Sequence, residues 1–315
     1  MKKNPIVSIL IPIYGVEAYI ERCARSLMEQ SYDRCEFVFV NDCSLDNSIV
    51  ILEKTLEDYP HRKGQVKIIH HNHNRGLGAA RLTGVENSAG KYITFVDSDD
   101  WVEHDYVETL LSVAFNKNAD LVISPTVSED KTAVTVDVNS ALYVRKLLMR
   151  RVSPHIWGNL ILRETMMNHG IMPIEGIDMA EDFHFMTRYV SECNNAVKVN
   201  KLLYHYTPDN PESYTKRYNE KNIKSLIKAM DVVYNYLKQK KDSYGKLLNL
   251  SLLEFYKGLI IIGALDSDKK KDMFNQYIEN SRKMTIDERV YQFFIKHGPM
   301  LIPKLFSFIY TQKYC

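Results

Sequence analysis

The chain lacks what a membrane protein, a disulfide scaffold or a nucleic-acid binder would carry. No stretch reaches the roughly 18 to 20 uninterrupted apolar residues that a membrane span needs. The five cysteines, Cys23, Cys35, Cys43, Cys193 and Cys315, are odd in number and scattered, with no CxxC and no His-rich pairing. Reduced thiols in a cytoplasmic setting are therefore expected, not bridges or a zinc site. With 41 basic against 39 acidic residues the formal net charge is only +2, so a polyanionic partner has no support and nucleic-acid binding is set aside. The opening MKKNPIVSILIPIYG puts two lysines before a short apolar run. Pro12, the polar continuation and the lack of a small-residue cleavage pattern make it a first core strand, not a signal peptide.

What is present is the composition of a folded protein, 45% hydrophobic and 25% charged over 315 residues. That length suffices for one large domain or two ordinary ones. Through the first half, short apolar or β-branched runs (Val7 to Ile11, Glu36 to Val40, Val66 to Ile69, Tyr92 to Val96, Leu121 to Ser124) read as buried strands. Between them, Ile20, Cys23, Ala24, Leu27 and Met28 recur at helical spacing, as do Ile49, Leu52 and Leu56. Such alternation predicts an α/β fold with a mainly parallel sheet and helices on both faces. Ligands of such sheets bind at the carboxyl ends of the strands. Tyr14 and Gly15, Asn41 to Ser44, His70 to Gly76 and Asp97 to Asp100 all fall on that edge.

The segment YITFVDSDDW runs an apolar strand straight into three carboxylates, Asp97, Asp99 and Asp100. Like charges this close repel unless a cation, a proton or hydrogen bonds compensate them, so a divalent cation shared with a phosphorylated ligand is one reading. Turn and N-cap duty is the other, and Asp100 is expected to cap a helix beginning near Val102. Asp46 and Asn47, ahead of another helix, read as capping residues.

After about residue 125 the pattern changes. SEDKTAVTVDVN reads as a polar loop or edge hairpin, Ser140 to Arg151 as a helix, Glu181 to Ser191 as another, and Ala196 to Val199 and Leu202 to Tyr206 as short strands. From Asn219 onward the chain reads as helical, which places a boundary near residue 215. The last residues, KHGPMLIPKLFSFIYTQKYC, set Lys296, Lys304 and Lys313 around apolar side chains with no acid. An interfacial membrane helix and an ordinary packed terminal helix both account for them, and Pro303 shortens either.

Taken together, VSILIPIYGVEAYIERCARSLMEQSY, FVFVNDCSLDNS, NRGLGAARLTGVENSAGKYITFVDSDD and AEDFHF resemble the family 2 glycosyltransferases, in family order over about residues 5 to 215. The resemblance implies a GT-A fold, Rossmann-like, with a catalytic domain over 1–215 and a helical C-terminal region over 216–315. Within the catalytic domain it implies a nucleotide-sugar half to about residue 125 and an acceptor half after it. It implies inverting transfer from a nucleotide diphosphate sugar to a hydroxyl acceptor, with Mn2+ or Mg2+ as cofactor.

By the same resemblance, Pro12 ends the first strand and Tyr14 offers its face to the uracil of a UDP-sugar. Asp42 accepts the imide N–H of the base, which favours uridine. The usual Asp-Asp-Gly-Ser is altered here to Asn41, Asp42, Cys43 and Ser44, and Cys43 lacks the glycine's freedom for positive φ. Gly76 and Gly78 let backbone approach the nucleotide, Arg81 faces the donor, and Asp97 contacts ribose or base. Asp99 holds the metal, with His205 as a second ligand, and the run from Asn210 to Lys216 closes over the diphosphate. Asp182 is the general base, and Trp157 and Glu181 meet the acceptor, Trp157 by stacking on its sugar.

The implied partners are a UDP-sugar and a glycan or lipid-linked acceptor, at the inner face of the membrane if the C-terminal helix touches lipid. The helical tail also offers a homodimer contact. A nucleotidyltransferase would need a Gly-rich loop with Arg and Lys by the first strand, which IPIYGVEAYIE lacks. The single G-x-G likewise lacks the third glycine of a dinucleotide fingerprint. A non-catalytic sugar-nucleotide binding protein is the remaining rival, and the pairing of Asp99 with Asp182 weighs against it.

Overall fold

Val7–Ile13 (β1) is buried at every position, as a strand covered on both faces must be. Its alternate side chains enter two different cores: Val7, Ile9, Ile11 and Ile13 one, Leu10 the other. β1 lies inside the sheet, between β2 and β4, in a computed structural model that describes residues 4–125, 135–208 and 220–240, with Tyr244, Leu247, Leu248, Ser251 and Leu252. The segment from Lys296 to Cys315 and the run from Asn210 to Lys216 lie outside those residues.

In chain order, β1 is followed by Ile20–Met28 (α1), Cys35–Asn41 (β2), Ser48–Glu57 (α2), Val66–His70 (β3), Leu77–Glu86 (α3) and Tyr92–Phe95 (β4). Then come Trp101–Val102 (β5), Tyr106–Lys117 (α4), Leu121–Ile123 (β6), Val136–Val138 (β7), Ser140–Leu148 (α5), Leu160–Leu162 (β8) and Arg163–Asn168 (α6). Glu181–Val190 (α7), Ala196–Lys198 (β9), Tyr204–His205 (β10) and Glu220–Leu237 (α8) complete the described chain.

Eight strands form one sheet in the order β3, β2, β1, β4, β8, β6, β9, β7. The β3–β2–β1–β4 half is parallel. β8 enters antiparallel between β4 and β6, and β9 runs parallel to β6. Helices cover both faces: one core takes the apolar stripes of α1, α2 and α4, the other those of α3, α5, α7 and α8. In α1 the stripe is Ile20, Cys23, Ala24, Leu27 and Met28, all buried, the spacing that puts side chains on one helical face.

β1 runs one residue past Pro12. Its pairing with β4 stops at Leu10, so the missing proline N–H leaves no ladder bond unmade on that side.

The expected helix start near Val102 is corrected. Trp101 and Val102 pair antiparallel with His205 and Tyr204 as a separate two-stranded sheet, and α4 begins only at Tyr106. The four cysteines among the described residues, Cys23, Cys35, Cys43 and Cys193, are free. No helix among the described residues is long and apolar enough to cross a membrane.

Candidate active site

Four loops leave the carboxyl ends of β1, β2, β3 and β4 and are tied to one another. Gly15 N donates to Ser44 Oγ at 2.8 Å and Glu17 N to Asp46 Oδ2 at 2.9 Å, which locks the loop after β1 to the loop after β2. Asp46 Oδ1 also accepts from Ser48 N at 3.1 Å, so Asp46 rather than Asn47 meets the start of α2. Tyr14 is 53% exposed, with its ring outside the core.

Asp42 is buried. Its Oδ1 accepts from His71 Nδ1 at 2.6 Å and from Arg75 N at 2.8 Å, and its Oδ2 from Gly76 N at 2.7 Å. A carboxylate offers about four lone-pair sites, so one is left for a ligand. Asn41, in place of the usual acid, accepts from Ser44 N at 2.8 Å. Cys43 stands at φ 60°: the loop keeps the left-handed turn, and the expectation that a cysteine forfeits it is corrected.

Two placements give the third loop and the helix after it protein partners that the sequence did not show. The open space beside Gly76 and Gly78 belongs to the protein itself. A Cβ on Gly76 would lie 2.2 Å from Asp178 Oδ1, and one on Gly78 would lie 2.4 Å from the Ile174 carbonyl oxygen. These glycines admit the 174–178 loop, so the space that a Cβ on either would need is taken by the protein itself. Arg81 is 2% exposed and faces carboxylates. Its Nη1 lies 2.8 Å from Glu181 Oε1 and 2.7 Å from Asp182 Oδ1, and its Nη2 lies 2.9 Å from Asp97 Oδ1. The guanidinium carbon also lies over the Phe95 ring, 5.9 Å from its centroid.

Three carboxylates thus share one cation. Burial, reinforced by the charge of Asp182, pushes Glu181 up to about 8 against the pull of Arg81. Burial raises Asp182 as well, again opposed by Arg81. One proton held within the pair relieves the repulsion. A carboxylate whose pKa is moved toward neutrality is the better proton acceptor.

In the fourth loop Ser98 Oγ donates to the Pro12 carbonyl at 2.7 Å, which draws the ends of β1 and β4 together. Asp100 caps no helix, a second correction at this segment. It is fully buried, and it accepts from Tyr204 Oη at 2.6 Å and from Thr207 N at 2.7 Å. Burial, with the charge of Asp97, pushes its carboxyl up to about 7 in spite of those bonds. The acid anchors β10 and the residues after it. Asp99, half-buried beside it, has its carbonyl held by Arg22 Nη2 at 3.1 Å and Thr207 Oγ1 at 2.8 Å.

His205 is given to another partner. Its Nε2 lies 2.6 Å from Glu103 Oε1 and its ring stacks on Trp101 at 3.6 Å, which takes one ring nitrogen out of a metal role. Among the described residues no three His, Cys, Asp or Glu side chains are grouped as metal ligands. Hard divalent ions are commonly held by one or two carboxylates, with phosphate oxygens and water completing the shell. Asp99 suits that mode.

Trp157 bridges to Phe95 at the end of β4 and stacks on Tyr204 at 4.6 Å and on Tyr206 at 5.6 Å. The aromatic ledge therefore has three members where the sequence pointed to one. Tyr204, Tyr206, His71 and Asp178 escaped sequence reasoning. Alternating aromatics in a short strand look like packing, and nothing local ties Asp178 to a helix a hundred residues earlier.

A family model described as "Glycosyl transferase family 2" matches residues 8–163. EpsH of Bacillus subtilis is 33% identical over 261 residues, which cover 78% of this chain and 74% of EpsH. The crystal structure of S. aureus TarS 1–349 in complex with UDP aligns at a TM-score of 0.72 and 17% identity, covering 98% of this chain and 91% of that one. The mannosyltransferase PcManGT of Pyrobaculum calidifontis, in complex with GDP-Man and Mn2+, aligns at 0.56 and 16% identity over 96% of this chain and 86% of that one. These likenesses show the GT-A fold, as the strand order and two-faced helical cover implied. The matched segments carry Asp42, Arg81, Asp97 and Asp99, and the relatedness to EpsH extends over most of both chains: the chain belongs to the family 2 glycosyltransferases and is an enzyme of that class.

Proposed function

We propose that this enzyme moves a sugar from a uridine diphosphate donor to a hydroxyl acceptor, with inversion and with a divalent metal, in the synthesis of a glycan or polysaccharide. The observation that carries the reading is the gathering of Asp97, Glu181 and Asp182 on Arg81, at the carboxyl edge of the sheet. There a base stands beside the acids that would meet the nucleotide and its metal. The UDP bound by TarS and the Mn2+ bound by PcManGT lend support from proteins of the same fold.

In this reading the exposed Tyr14 ring takes the uracil face, while the remaining lone pair of Asp42 takes the imide N–H. Asp97, fixed by Arg81, meets the ribose. Asp99 would hold Mn2+ or Mg2+ together with the diphosphate. Such an ion, when bound, neutralises charge on the departing diphosphate.

Trp157 and Tyr206 offer a flat surface for the acceptor sugar. The acceptor hydroxyl gives its proton to Asp182 as its oxygen bonds to the anomeric carbon from the face opposite the leaving group. The anomeric carbon–oxygen bond breaks and the diphosphate leaves with the electron pair, so no covalent enzyme intermediate forms. Glu181 keeps the pair's shared proton and leaves Asp182 as the acceptor, a contribution of about 10² to 10⁴ in rate for such proton transfer.

A panel of UDP-sugars with Mn2+, assayed for transfer and for slow donor hydrolysis, tests the donor class, and a GDP-sugar as the favoured donor would overturn it. Mn2+ with UDP should raise the melting temperature, and equal stabilisation without metal would remove Asp99 from the ligand role. Asp182→Asn should bind donor normally and transfer nothing. Retained turnover would take the base role from Asp182.

A further inference from the structure

Ser225 sits buried on α8, and its hydroxyl is wholly committed to the segment that delivers the acid pair. Oγ accepts from Asp178 N at 2.9 Å and from Met179 N at 2.8 Å, and donates to the Met179 carbonyl at 3.0 Å. A hydroxyl has one proton and two lone pairs, so two adjacent residues use its full capacity. Ala180 follows at φ 62°, ψ 25°. A residue with a side chain holds that left-handed conformation only where its surroundings fix it. Glu181 and Asp182 come next, as the first residues of α7.

The same segment also grips the helix that carries Arg81. Asp178 Oδ1 accepts from Gly78 N at 3.2 Å in the first turn of α3, and Asp178 Oδ2 meets Lys221 Nζ of α8 at 3.1 Å. The space that a Gly76 side chain would need is filled by this carboxylate. Arg81 stands one turn further along α3. The cation and the acids it holds are thus carried by two helices whose starts are joined through Asp178, and α8 clamps the joint. α8 lies outside the stretch that the family model matches.

We propose that Ser225 is a positioning residue for sugar transfer: it holds the left-handed turn at Ala180 and thereby places Asp182 to receive the acceptor proton. This rests on the base role proposed for Asp182. It makes α8 part of the active-site framework. Ser225 is buried with its hydroxyl fully used by Asp178 and Met179, so its removal should act on the chemical step and leave donor binding alone.

The test uses the full chain with Ser225→Ala, Ser225→Cys and Ser225→Thr, and Asp182→Asn as a control. Ser225→Ala should lower kcat by about ten- to a hundredfold, the order of loss when a reacting group is misplaced by about an ångström. Donor KM and UDP binding should stay within about twofold, since the loss lies in the transition state. The acid limb of the kcat–pH profile should move as the pair loosens. Ser225→Thr keeps the hydroxyl and should restore most of kcat. Should the alanine protein fail to fold, Ser225→Cys carries the same test at nearly unchanged volume, because a thiol is a weak donor and acceptor.

A folded alanine or cysteine variant with the wild-type kcat and pH profile would overturn the inference. So would a loss of kcat that threonine does not restore, or one matched by loss of donor binding, since either assigns Ser225 to packing alone. Turnover by Asp182→Asn would instead sink the proposed base, and this inference with it.

Discussion

Arg81 Nη1 lies 2.7 Å from Asp182 Oδ1 across 101 residues of chain, and the same nitrogen lies 2.8 Å from Glu181 Oε1. With Nη2 on Asp97, one planar guanidinium sets the spacing between the nucleotide side of the site and the proton acceptor. Replacing it by methionine leaves three carboxylates with no cation. Breaking a buried ion pair from one side costs about 3–5 kcal/mol, so Arg81→Met should be strongly destabilised and inactive. Arg81→Lys restores the charge as a single point that cannot fork to three partners. It should fold with a reduced melting temperature and retain under about a hundredth of the transfer rate, in line with the loss from a misplaced reacting group. Wild-type activity in Arg81→Lys would remove the forked geometry from the mechanism.

The raised carboxyl of Glu181 makes a signed prediction for stability. Its folded value of about 8 stands above the ordinary 4.5 because burial and Asp182 disfavour its charge. The folded state therefore holds the proton more tightly than the unfolded chain. The stabilisation is complete below about pH 4.5 and is lost as pH rises toward about 8. Glu181→Gln mimics the protonated form at every pH. Melting temperatures of the two proteins should match near pH 4.5, and the glutamine protein should be the more stable by pH 8. A difference that does not change with pH would show that Glu181 titrates normally.

Cys43 holds φ 60° in the turn after β2, where the family pattern has glycine. A side chain in the left-handed region costs roughly 1–2 kcal/mol, offset in part by the entropy a glycine adds to the unfolded chain, about 0.4–1 kcal/mol. Cys43→Gly should raise the melting temperature by about 1–3 °C, since about 2–4 °C per kcal/mol holds for roughly 150–250 residues and the shift shrinks in a longer chain. UDP affinity should be unchanged, because the turn already has the shape that glycine would give it. A fall in melting temperature would mean that the Cys43 side chain contributes packing that outweighs its backbone strain.

The strands β1, β2 and β4 could be read from sequence because each is buried at every position, so Val7–Ile13 and Cys35–Asn41 are mostly apolar, with Ser8, Glu36 and Asn41 the polar exceptions, while β3 at the sheet edge is only partly buried. The acids at their ends were legible for the same reason: polar residues stand out where such a run stops. β5 was not, since two residues carry no period, and Asp100 looks like a cap until Tyr204 and Thr207 are seen to bind it; β10 falls within the strand read over Leu202 to Tyr206, but its pairing with β5 was not legible. The glycines of α3 were legible as close-approach positions, but what approaches them is Asp178, from 100 residues away. Local pattern gives the need for space, and only the fold tells what fills it. Arg81 shows the same limit: its place one turn into a helix was plain, and its three carboxylate partners come from two other elements.

The aromatic ledge separates acceptor binding from structural support. Tyr206 is 50% exposed and its ring is parallel to that of Trp157, at 8° between planes. Trp157 is half-buried and also covers Tyr204, whose hydroxyl holds Asp100. Losing the exposed ring should remove contact area for a sugar face and little else. Tyr206→Ala is expected to raise the acceptor KM by about five- to tenfold, equivalent to roughly 1–1.4 kcal/mol, with donor KM and melting temperature close to wild type. Trp157→Ala uncovers Tyr204 and loosens the Asp100 anchor, so it should lower both kcat and melting temperature. Equal and purely thermal effects of the two substitutions would place the ledge in the fold and leave the acceptor to be held elsewhere.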